Sequence, residues 1–292
     1  MDQAENLRNI IKLQNQNNIN NAQVIAVTSG KGGVGKSSVS INLAIQFIRQ
    51  GKKVIILDAD FGLANVEVMF GVIPKANLSD LMFKGKEVKE IICEGPEGVG
   101  FISGGSGIAK LSNLDREQIK RLVGKLNELE ELADVIIIDT GAGISPSVME
   151  FLVASPETII VTTPEPTSIT DSYALLKALN MNAGDNVKNL KIHMIANKVS
   201  SESEGMNLYE KLSAVVARFL NIDINYLGII PQDSNITKAI MKQQPVSIAY
   251  PNAPSSKRFS EIVTALINAD SEVPQHKKGI RNYLRNVFGK KM

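Results

Sequence analysis

The residues best suited to chemistry lie in one glycine-rich stretch, Ser29 to Ser38, which reads Ser-Gly-Lys-Gly-Gly-Val-Gly-Lys-Ser-Ser. An apolar run, Val24–Val27, comes directly before it, and a helical pattern follows it. Strand, glycine-rich loop and helix in this order are the context of the phosphate-binding motif G-x-x-x-x-G-K-[ST], whose backbone N–H groups point at phosphate oxygens. The sequence therefore predicts a nucleotide-phosphate site made of Gly30, Lys31, Gly32, Gly33, Val34, Gly35, Lys36, Ser37 and Ser38. In such a site Lys36 reaches the β- and γ-phosphates and Ser37 binds Mg²⁺.

Acidic residues close two later apolar runs. Asp58 and Asp60 follow the run Val54–Leu57, and Asp139 follows the run Val135–Ile138. Because ligands bind at the carboxyl ends of strands in an open α/β sheet, we expect these carboxylates to lie at the same edge as the glycine-rich loop. Carboxylates beside bound phosphates are suited to hold Mg²⁺ or to orient a water molecule.

The elements that would position these residues alternate along the chain. Apolar runs typical of strands buried on both faces occur at Val24–Val27, Val54–Leu57, Val135–Ile138, Thr158–Thr162, Ile192–Ile195 and Leu227–Ile230. Helical patterns occur at Ser37–Gln50, Asp115–Leu132, Ser168–Met181, Gly205–Leu220 and Ser255–Ile267. This alternation predicts an α/β fold with a doubly wound, mostly parallel sheet and helices on both faces.

The chain is expected to comprise three segments. Residues 1–22 combine a short helix over 2–12 with a linker rich in Asn and Gln, and residues 23–270 form the folded domain. Residues 271–292 form a second linker and a C-terminal helix.

Composition excludes several classes of protein. The chain has 292 residues, and its 43% hydrophobic content can fill a core, which excludes disorder throughout. The single cysteine, Cys93, excludes a disulfide framework and any site that needs two thiols from one chain; we expect it to be a buried apolar residue. No apolar run approaches the roughly 20 residues that span a bilayer, and the N-terminus is not a secretory signal. We expect a cytosolic protein.

The charge is unevenly distributed. Residues 277–292 contain six basic and no acidic residues, so the rest of a chain with a net charge of +2 has a net charge of −4. A mildly acidic body argues against a general nucleic-acid surface, and we expect no specific nucleic acid as a partner. The basic end indicates contact with something anionic.

A second lysine in the loop, Lys31, exceeds what the general motif requires. With it, the loop resembles that of the deviant Walker A class, the MinD/ParA family of dimerising ATPases. The resemblance implies an ATP hydrolase that takes ATP and Mg²⁺ and forms a homodimer with ATP, in which Lys31 contacts the phosphates of the other subunit. It also implies that Asp60 lies beside the attacking water and the metal, that Asp58 orders the loop or supports Mg²⁺, and that Asp139 holds Mg²⁺ through water. For Asp58 a simple turn or helix-cap role remains an alternative.

Contacts to the base and ribose are less specific. Family position suggests that Asn197 reads the adenine edge and that the segment Pro231, Gln232 and Asp233 packs on the base, although ordinary turns would have similar sequences. Glu150 is a candidate for the ribose, with a solvated helix acid as the favoured alternative.

The C-terminal segment has the pattern of a basic amphipathic helix. Its apolar positions fall at helical spacing and share one face, namely Ile280, Tyr283, Leu284, Val287 and Phe288. Arg281 and Arg285 lie off that face, as expected for a helix that binds an anionic membrane surface. The alternative is a helix packed on the body as ordinary core, and the two interpretations are compatible if the helix is docked without ATP and released with it.

The N-terminal leader, with Asp2, Gln3, Ala4, Leu7 and Arg8, departs from ordinary MinD, which begins near the first strand. Together with Asn65, the segment Pro164–Asp171 and the basic tail, it resembles the flagellar-number regulators of the family, the FlhG (FleN or YlxH) group. That resemblance implies that the leader activates the GTPase FlhF, with Gln3 suited to orient a water. It also implies binding to the flagellar ring proteins FliM and FliN/FliY and a reversible position at the inner face of the cell membrane.

Other functions within the same fold remain open. A MinD-type ATPase for placing the division site is one, and the leader argues against it. A ParA-type DNA-segregation ATPase is another, and the net negative body argues against it. Nitrogenase iron protein and iron–sulfur scaffold ATPases are excluded because they need more than one cysteine.

Overall fold

The computed structural model describes residues 22–62, 65–105 and 116–271. Within these ranges the chain forms one eight-stranded sheet, with β1 Gln23–Thr28, β2 Val54–Ala59, β3 Cys93–Glu94, β4 Gly100–Ile102, β5 Val135–Thr140, β6 Glu157–Thr162, β7 Lys191–Val199 and β8 Asn225–Pro231. The α-helices are α1 Lys36–Arg49, α2 Asn65–Phe70, α3 Leu78–Phe83, α4 Arg116–Leu126, α5 Pro146–Ala154, α6 Pro166–Ala183, α7 Glu202–Leu220, α8 Ser234–Met241, α9 Val246–Ala249 and α10 Pro254–Ser271. None of the described helices is long and apolar enough to cross a membrane.

The sheet has the strand order β3-β4-β2-β5-β1-β6-β7-β8. Every neighbouring pair is parallel except β3 with β4. The chain builds one side of the sheet from β1 to β5 and the other side from β6 to β8, so the strand order reverses at β1. Such a reversal leaves a crevice outside the carboxyl end of the central strand, where α/β proteins bind ligands.

Two apolar cores lie on opposite faces of the sheet. Val24 and Ala26 on β1 belong to the core covered by α4 to α7, whereas Ile25 and Val27 belong to the core covered by α1, α2, α9 and α10. Successive residues of a strand point to opposite faces, so a strand with a core on each side must be apolar at every position. The predicted α/β fold class, with helices on both faces of a mostly parallel sheet, is confirmed.

The strands and helices predicted between residues 24 and 267 are all present, but several short elements in the described residues were missed. The missed strands, β3 and β4, have only two and three residues, too few to show a period. The helix predicted over Asp115–Leu132 ends at Leu126, and a tighter 3₁₀ turn, Asn127–Glu131, follows and places Leu129 in the core. The expectation of a buried Cys93 is wrong, because the residue is half-buried on the edge strand β3.

The helices predicted over residues 2–12 and 280–288 lie outside the described residues. The limits of the three predicted segments stay predictions.

Candidate functional site

The glycine-rich loop joins β1 to α1 at the point where the strand order reverses. The Ser29 hydroxyl donates a hydrogen bond to the Lys31 carbonyl at 2.7 Å and holds the start of the loop. Gly35 is the N-cap of α1 and has a φ of 99°, and no side chain caps the helix. The first N–H groups of α1 are therefore available for an anionic ligand, as in phosphate-binding loops.

Two glycines of the loop are required by close contacts. A Cβ on Gly30 would lie 2.1 Å from the backbone carbon of Asp171 in α6, and one on Gly35 would lie 2.5 Å from Nδ2 of Asn197. The backbone contact at Gly30 leaves no room for a side chain, whereas a side chain at Gly35 would displace the Asn197 amide and is independently disfavoured by the positive φ. The loop is thus fitted between α6 and the end of β7.

Asp139 lies at the carboxyl end of β5, beside the first turns of α1. Its side chain is fully buried, and its Oδ1 accepts a hydrogen bond from the Ser40 hydroxyl at 2.9 Å. Burial raises the pKa of Asp139 to about 6, although the Ser37 hydroxyl, Lys36 and Ser40 act in the opposite direction. Its Oδ2 is buried and has no hydrogen-bond partner among the described residues.

An unpartnered buried carboxylate oxygen next to a hydroxyl suits a hard cation. Mg²⁺ prefers oxygen ligands and keeps several waters, and Ser37 and Asp139 supply oxygens of that kind. The residues of this site therefore fit Mg²⁺ bound together with phosphates. Lys36, whose side chain is almost buried, provides positive charge in the same place.

Asp58 is a partner of Asp139 in the register of β2 and β5. Its Oδ1 accepts a hydrogen bond from the Asp60 N–H at 3.2 Å, and its Oδ2 accepts one from the Val66 N–H at 3.1 Å. Burial, followed by the nearby charge of Asp139, raises the pKa of Asp58 well above its ordinary value. Both carboxylate oxygens are therefore engaged in shaping the segment from Asp60 to the start of α2.

Asp60 directly follows β2, at the carboxyl end of the sheet, and is less buried than Asp58. Its Oδ1 accepts a hydrogen bond from the Gly62 N–H at 3.3 Å, and its Oδ2 accepts one from Asn65 at 3.4 Å. A Cβ placed on Gly141, which follows β5, would be 3.8 Å from Oδ1 of Asp60. The structure thus brings together the two acidic segments that the sequence separates by about eighty residues.

Lys31 makes contacts that sequence reasoning did not predict. Its Nζ donates hydrogen bonds to Glu165 at 2.5 Å and to Thr167 Oγ1 at 2.9 Å, both in the segment that leads from β6 into α6. This hydrogen bond from Lys31 lowers the pKa of Glu165. In the sequence, the only feature that points to this contact is the segment Pro164–Asp171, which supports the family resemblance but does not assign a function to Glu165 or Thr167.

Comparison with known proteins relates this site to a family. A family model described as ParA, NUBPL iron-transfer P-loop NTPase, matches residues 20–267. The chain is 41% identical over 240 residues to the antiactivator FleN of Pseudomonas aeruginosa, covering 82% of this chain and 84% of that protein. It is 34% identical over 297 residues to the flagellum site-determining protein YlxH of Helicobacter pylori, covering 98% of each. The chain belongs to the ParA/MinD family of P-loop ATPases.

Membership of this family makes the chain an ATP hydrolase. The resemblance to the FlhG group is confirmed by the relatives FleN and YlxH. Iron transfer is named in the description of the family model and belongs to the protein for which that model is named.

Solved structures support the fold of this ParA-family ATPase. The cell-division ATPase MinD of Pyrococcus furiosus has a TM-score of 0.71 and 22% identity, covering 85% of this chain and 99% of that one. MinD of Pyrococcus horikoshii, solved in complex with Mg-ADP, has a TM-score of 0.69 and 22% identity, covering 86% of this chain and 100% of that one.

The side predicted to contact the base is formed by the ends of β7 and β8. Asn197 donates from Nδ2 to the Val34 carbonyl at 2.7 Å, and Lys198, which sequence reasoning left without a role, donates to the Gly33 carbonyl at 2.8 Å. These two side chains hold the phosphate loop of the ATPase in place through its Val34 and Gly33 carbonyls. Their only sequence signal was the position of Ile195–Lys198 at a strand end.

The remaining candidates differ in what surrounds them. Asp233 caps α8 by accepting from the Asn235 N–H at 2.9 Å, and its Oδ2 accepts from the Ser255 hydroxyl at 2.7 Å. Pro231 ends β8, and the Gln232 side chain is exposed. Glu150 is buried in α5, so the alternative of a solvated helix acid is wrong. Contacts of these residues to a nucleotide stay predictions.

Proposed function

We propose that this ATPase is a nucleotide-dependent switch that regulates the number and placement of flagella. The observation that carries the proposal is the similarity to FleN at 41% and to YlxH at 34% identity, both over most of the chain. MinD proteins named for the division septum are less similar, at 28% identity for the Helicobacter pylori protein and 26% for that of Escherichia coli. This difference favours a flagellar function over placement of the division site.

For the chemistry, we assign the binding of ATP phosphates to the backbone and side chains of residues 30–38, with Lys36 at the β- and γ-phosphates. Ser37 and Asp139 would hold Mg²⁺, with Asp60 at its edge, and the ion when bound neutralises charge that spreads over the transferred phosphoryl group. Asp60 orients the attacking water. Asp58 orders the segment that contains Asp60, a role supported by its hydrogen bonds to the Asp60 and Val66 N–H groups.

The ATP state is a homodimer in which Lys31 reaches the phosphates of the second copy. In a single copy, Lys31 is bound to Glu165 and Thr167, so it must leave those partners before it crosses the interface. The Lys31 and Glu165 side chains are both partly exposed, so their ion pair is weak enough to exchange. Hydrolysis removes the γ-phosphate and releases the dimer, which makes the enzyme a switch.

We assign contacts with the base to Asn197, Pro231, Gln232 and Asp233, and a contact with the ribose to Glu150. The support for these assignments is the position of Asn197 near the carboxyl end of β7, of Pro231–Asp233 at and just after the carboxyl end of β8, and of Glu150 in the helix that follows β5.

The two terminal segments bind partners. The leader in residues 1–22 activates the GTPase FlhF, and the basic amphipathic segment in 271–292 binds the anionic inner surface of the cell membrane. We also propose the flagellar ring proteins FliM and FliN/FliY as partners. We assign no specific nucleic acid as a partner.

The decisive experiment combines oligomeric state with partner capture. The purified Asp60→Ala variant is sized by light scattering in ADP and in ATP with Mg²⁺, and pull-downs with FlhF and with FliM/FliY are run in the same nucleotides. The proposal expects a dimer with ATP and partner binding that depends on the nucleotide. If the chain saturated with ATP stays a single subunit, the switch is rejected.

A cellular test addresses the flagellar part by itself. The gene is introduced into Pseudomonas aeruginosa that lacks FleN, and flagella per cell are counted. Restoration by the unchanged chain but not by Lys36→Gln supports the proposal, and equal restoration by both rejects a role for the nucleotide.

A further inference from the structure

Ser40 occupies an unusual position for a polar residue. It lies in α1, one helical turn after Lys36, and is fully buried between the core residues Val39 and Ile41. A buried hydroxyl without a partner destabilises a protein, so its hydrogen bond is informative. Neither the phosphate-loop motif nor the family comparison gives this residue a function.

The Ser40 hydroxyl has one proton and two acceptors within reach. The Lys36 carbonyl is 3.2 Å away, and Asp139 Oδ1 is 2.9 Å away. An ionised carboxylate can only accept, and hydrogen bonds to charged acceptors are the stronger ones. The proton is therefore donated to Asp139, and the carbonyl contact is secondary.

This bond fixes the rotation of the Asp139 carboxylate. With Oδ1 held by Ser40, the plane of the carboxylate is set, and Oδ2 is the oxygen that has no hydrogen-bond partner among the described residues. Outer groups that orient a ligating side chain commonly account for about 10- to 100-fold in metal affinity.

We propose that Ser40 is a positioning residue for Mg²⁺, which holds Asp139 so that its Oδ2 is directed at the metal or at a metal-bound water. This inference rests on the proposed use of Mg-ATP at this site. It assigns Ser40 an effect on metal binding and none on the binding of phosphates by the loop.

The experiment separates these two effects in the full chain. The affinity for a fluorescent ATP analogue is first measured in EDTA, and the Mg²⁺ concentration for half-saturation is then measured at a fixed analogue concentration. Ser40→Ala is expected to raise the half-saturating Mg²⁺ concentration about 10-fold, to leave the affinity in EDTA unchanged, and to be rescued by Ser40→Thr, which keeps the hydroxyl. Ser40→Cys keeps the volume with a weak donor and should behave like alanine, which covers a poorly folded alanine variant.

The matched control is Ser155→Ala. Ser155 is also fully buried, and its hydroxyl also donates to the carbonyl four residues earlier, at 2.7 Å, whereas no carboxylate of the described residues accepts a hydrogen bond from it. The control should show the unchanged Mg²⁺ dependence.

The inference on Ser40 is overturned if Ser40→Ala and Ser40→Cys need no more Mg²⁺ than the unchanged chain. It is also overturned if they lose affinity in EDTA to the same degree, or if Thr fails to rescue. A failure of the unchanged chain to bind the analogue with any Mg²⁺ dependence would instead reject the proposed function, and the inference with it.

Discussion

Asp58 on β2 and Asp139 on β5 are direct partners in the register of two neighbouring parallel strands, and both side chains are fully buried. Burial raises the pKa of both carboxyls, and the charge of Asp139 further raises that of Asp58. Two neighbouring buried acids destabilise the fold unless a positive group lies close, and the charge of Lys36 offsets part of this effect. We therefore expect the protein without metal to be less stable than it would be without one of these two acids.

Asp139→Asn should stabilise the protein when no metal is present. The pKa of Asp139 in the folded protein, about 6, lies above its ordinary 3.8. Protonated Asp139 therefore contributes to stability at low pH, and this contribution is lost as pH rises from about 4 to about 6 and is absent at pH 8. The variant has no such loss, and its free energy of unfolding in EDTA should be higher by about 1–3 kcal/mol at pH 8 and about equal at pH 4. Urea unfolding at both pH values measures this. An Asn variant less stable at pH 8 than the unchanged chain contradicts it, and the exposed Asp223→Asn serves as the control.

Asp60→Ala should keep ATP binding and the ATP-dependent dimer while losing most hydrolysis. Its carboxylate is held at the sheet edge by the Gly62 N–H and Asn65, near Gly141. Removing a group that orients the attacking water costs about 100-fold or more in rate. Phosphate release and sizing in ATP check the two parts. A variant that stays a single subunit with ATP but hydrolyses normally would show that Asp60 has been assigned the wrong function.

Glu165→Ala should favour the dimer. Lys31 is bound to Glu165 at 2.5 Å, and the Glu165 side chain does not cap α6, so its removal leaves Lys31 with the neutral partner Thr167 Oγ1 and does not loosen the helix. Because the pair is exposed, the ATP concentration for half-maximal dimer should fall only a few-fold. Analytical ultracentrifugation across ATP concentrations measures the shift. Glu210→Ala, which removes an exposed acid from α7, should leave the curve in place, and a Glu165 variant that needs more ATP would contradict the prediction.

His193 makes the fold sensitive to acid. It is buried on β7 with its Nε2 3.8 Å from Glu157 Oε2, and burial, with a smaller effect of Lys191, lowers its pKa to about 4. The unfolded chain takes up a proton near pH 6.5 and the folded chain does not, so this contribution to stability is lost as pH falls from about 6.5 to about 4.

The measurement is a difference between two proteins, because Asp139 titrates with the opposite sign in part of this range. The free energy of unfolding of His193→Gln minus that of the unchanged chain should rise by about 2 kcal/mol between pH 7.5 and pH 4.5. Parallel pH curves for the two proteins would rule out this origin of acid sensitivity.

Removal of residues 279–292 should abolish binding to vesicles that contain anionic lipid. The deleted segment contains the apolar positions from Ile280 to Phe288 and its basic residues. One copy buries little apolar area, so binding should be strongest in ATP, where two copies act together. Co-sedimentation in ADP and in ATP measures it. Equal binding by the full and shortened chains would reject the segment as the membrane contact.

Patterns confined to a few neighbouring residues were enough to predict the phosphate loop and the longer strands. A strand with a core on each face is apolar at every position, and the loop needs glycines in a fixed spacing, so both can be recognised from a short stretch of sequence. Short elements such as β3 and α9 leave none, since two to four residues cannot display a period.

Contacts between distant segments were beyond the reach of such patterns. That Lys31 meets Glu165, that Asn197 and Lys198 support the loop, and that Ser40 holds Asp139 depend on which strands are neighbours and how helices pack on them. The amino-acid sequence by itself determined the chemistry at this sheet edge, because that chemistry resides in residue types at short spacing. Only the tertiary structure decided which partner each side chain has, because hydrogen bonds of this kind form over a few ångströms in space between residues far apart in the chain.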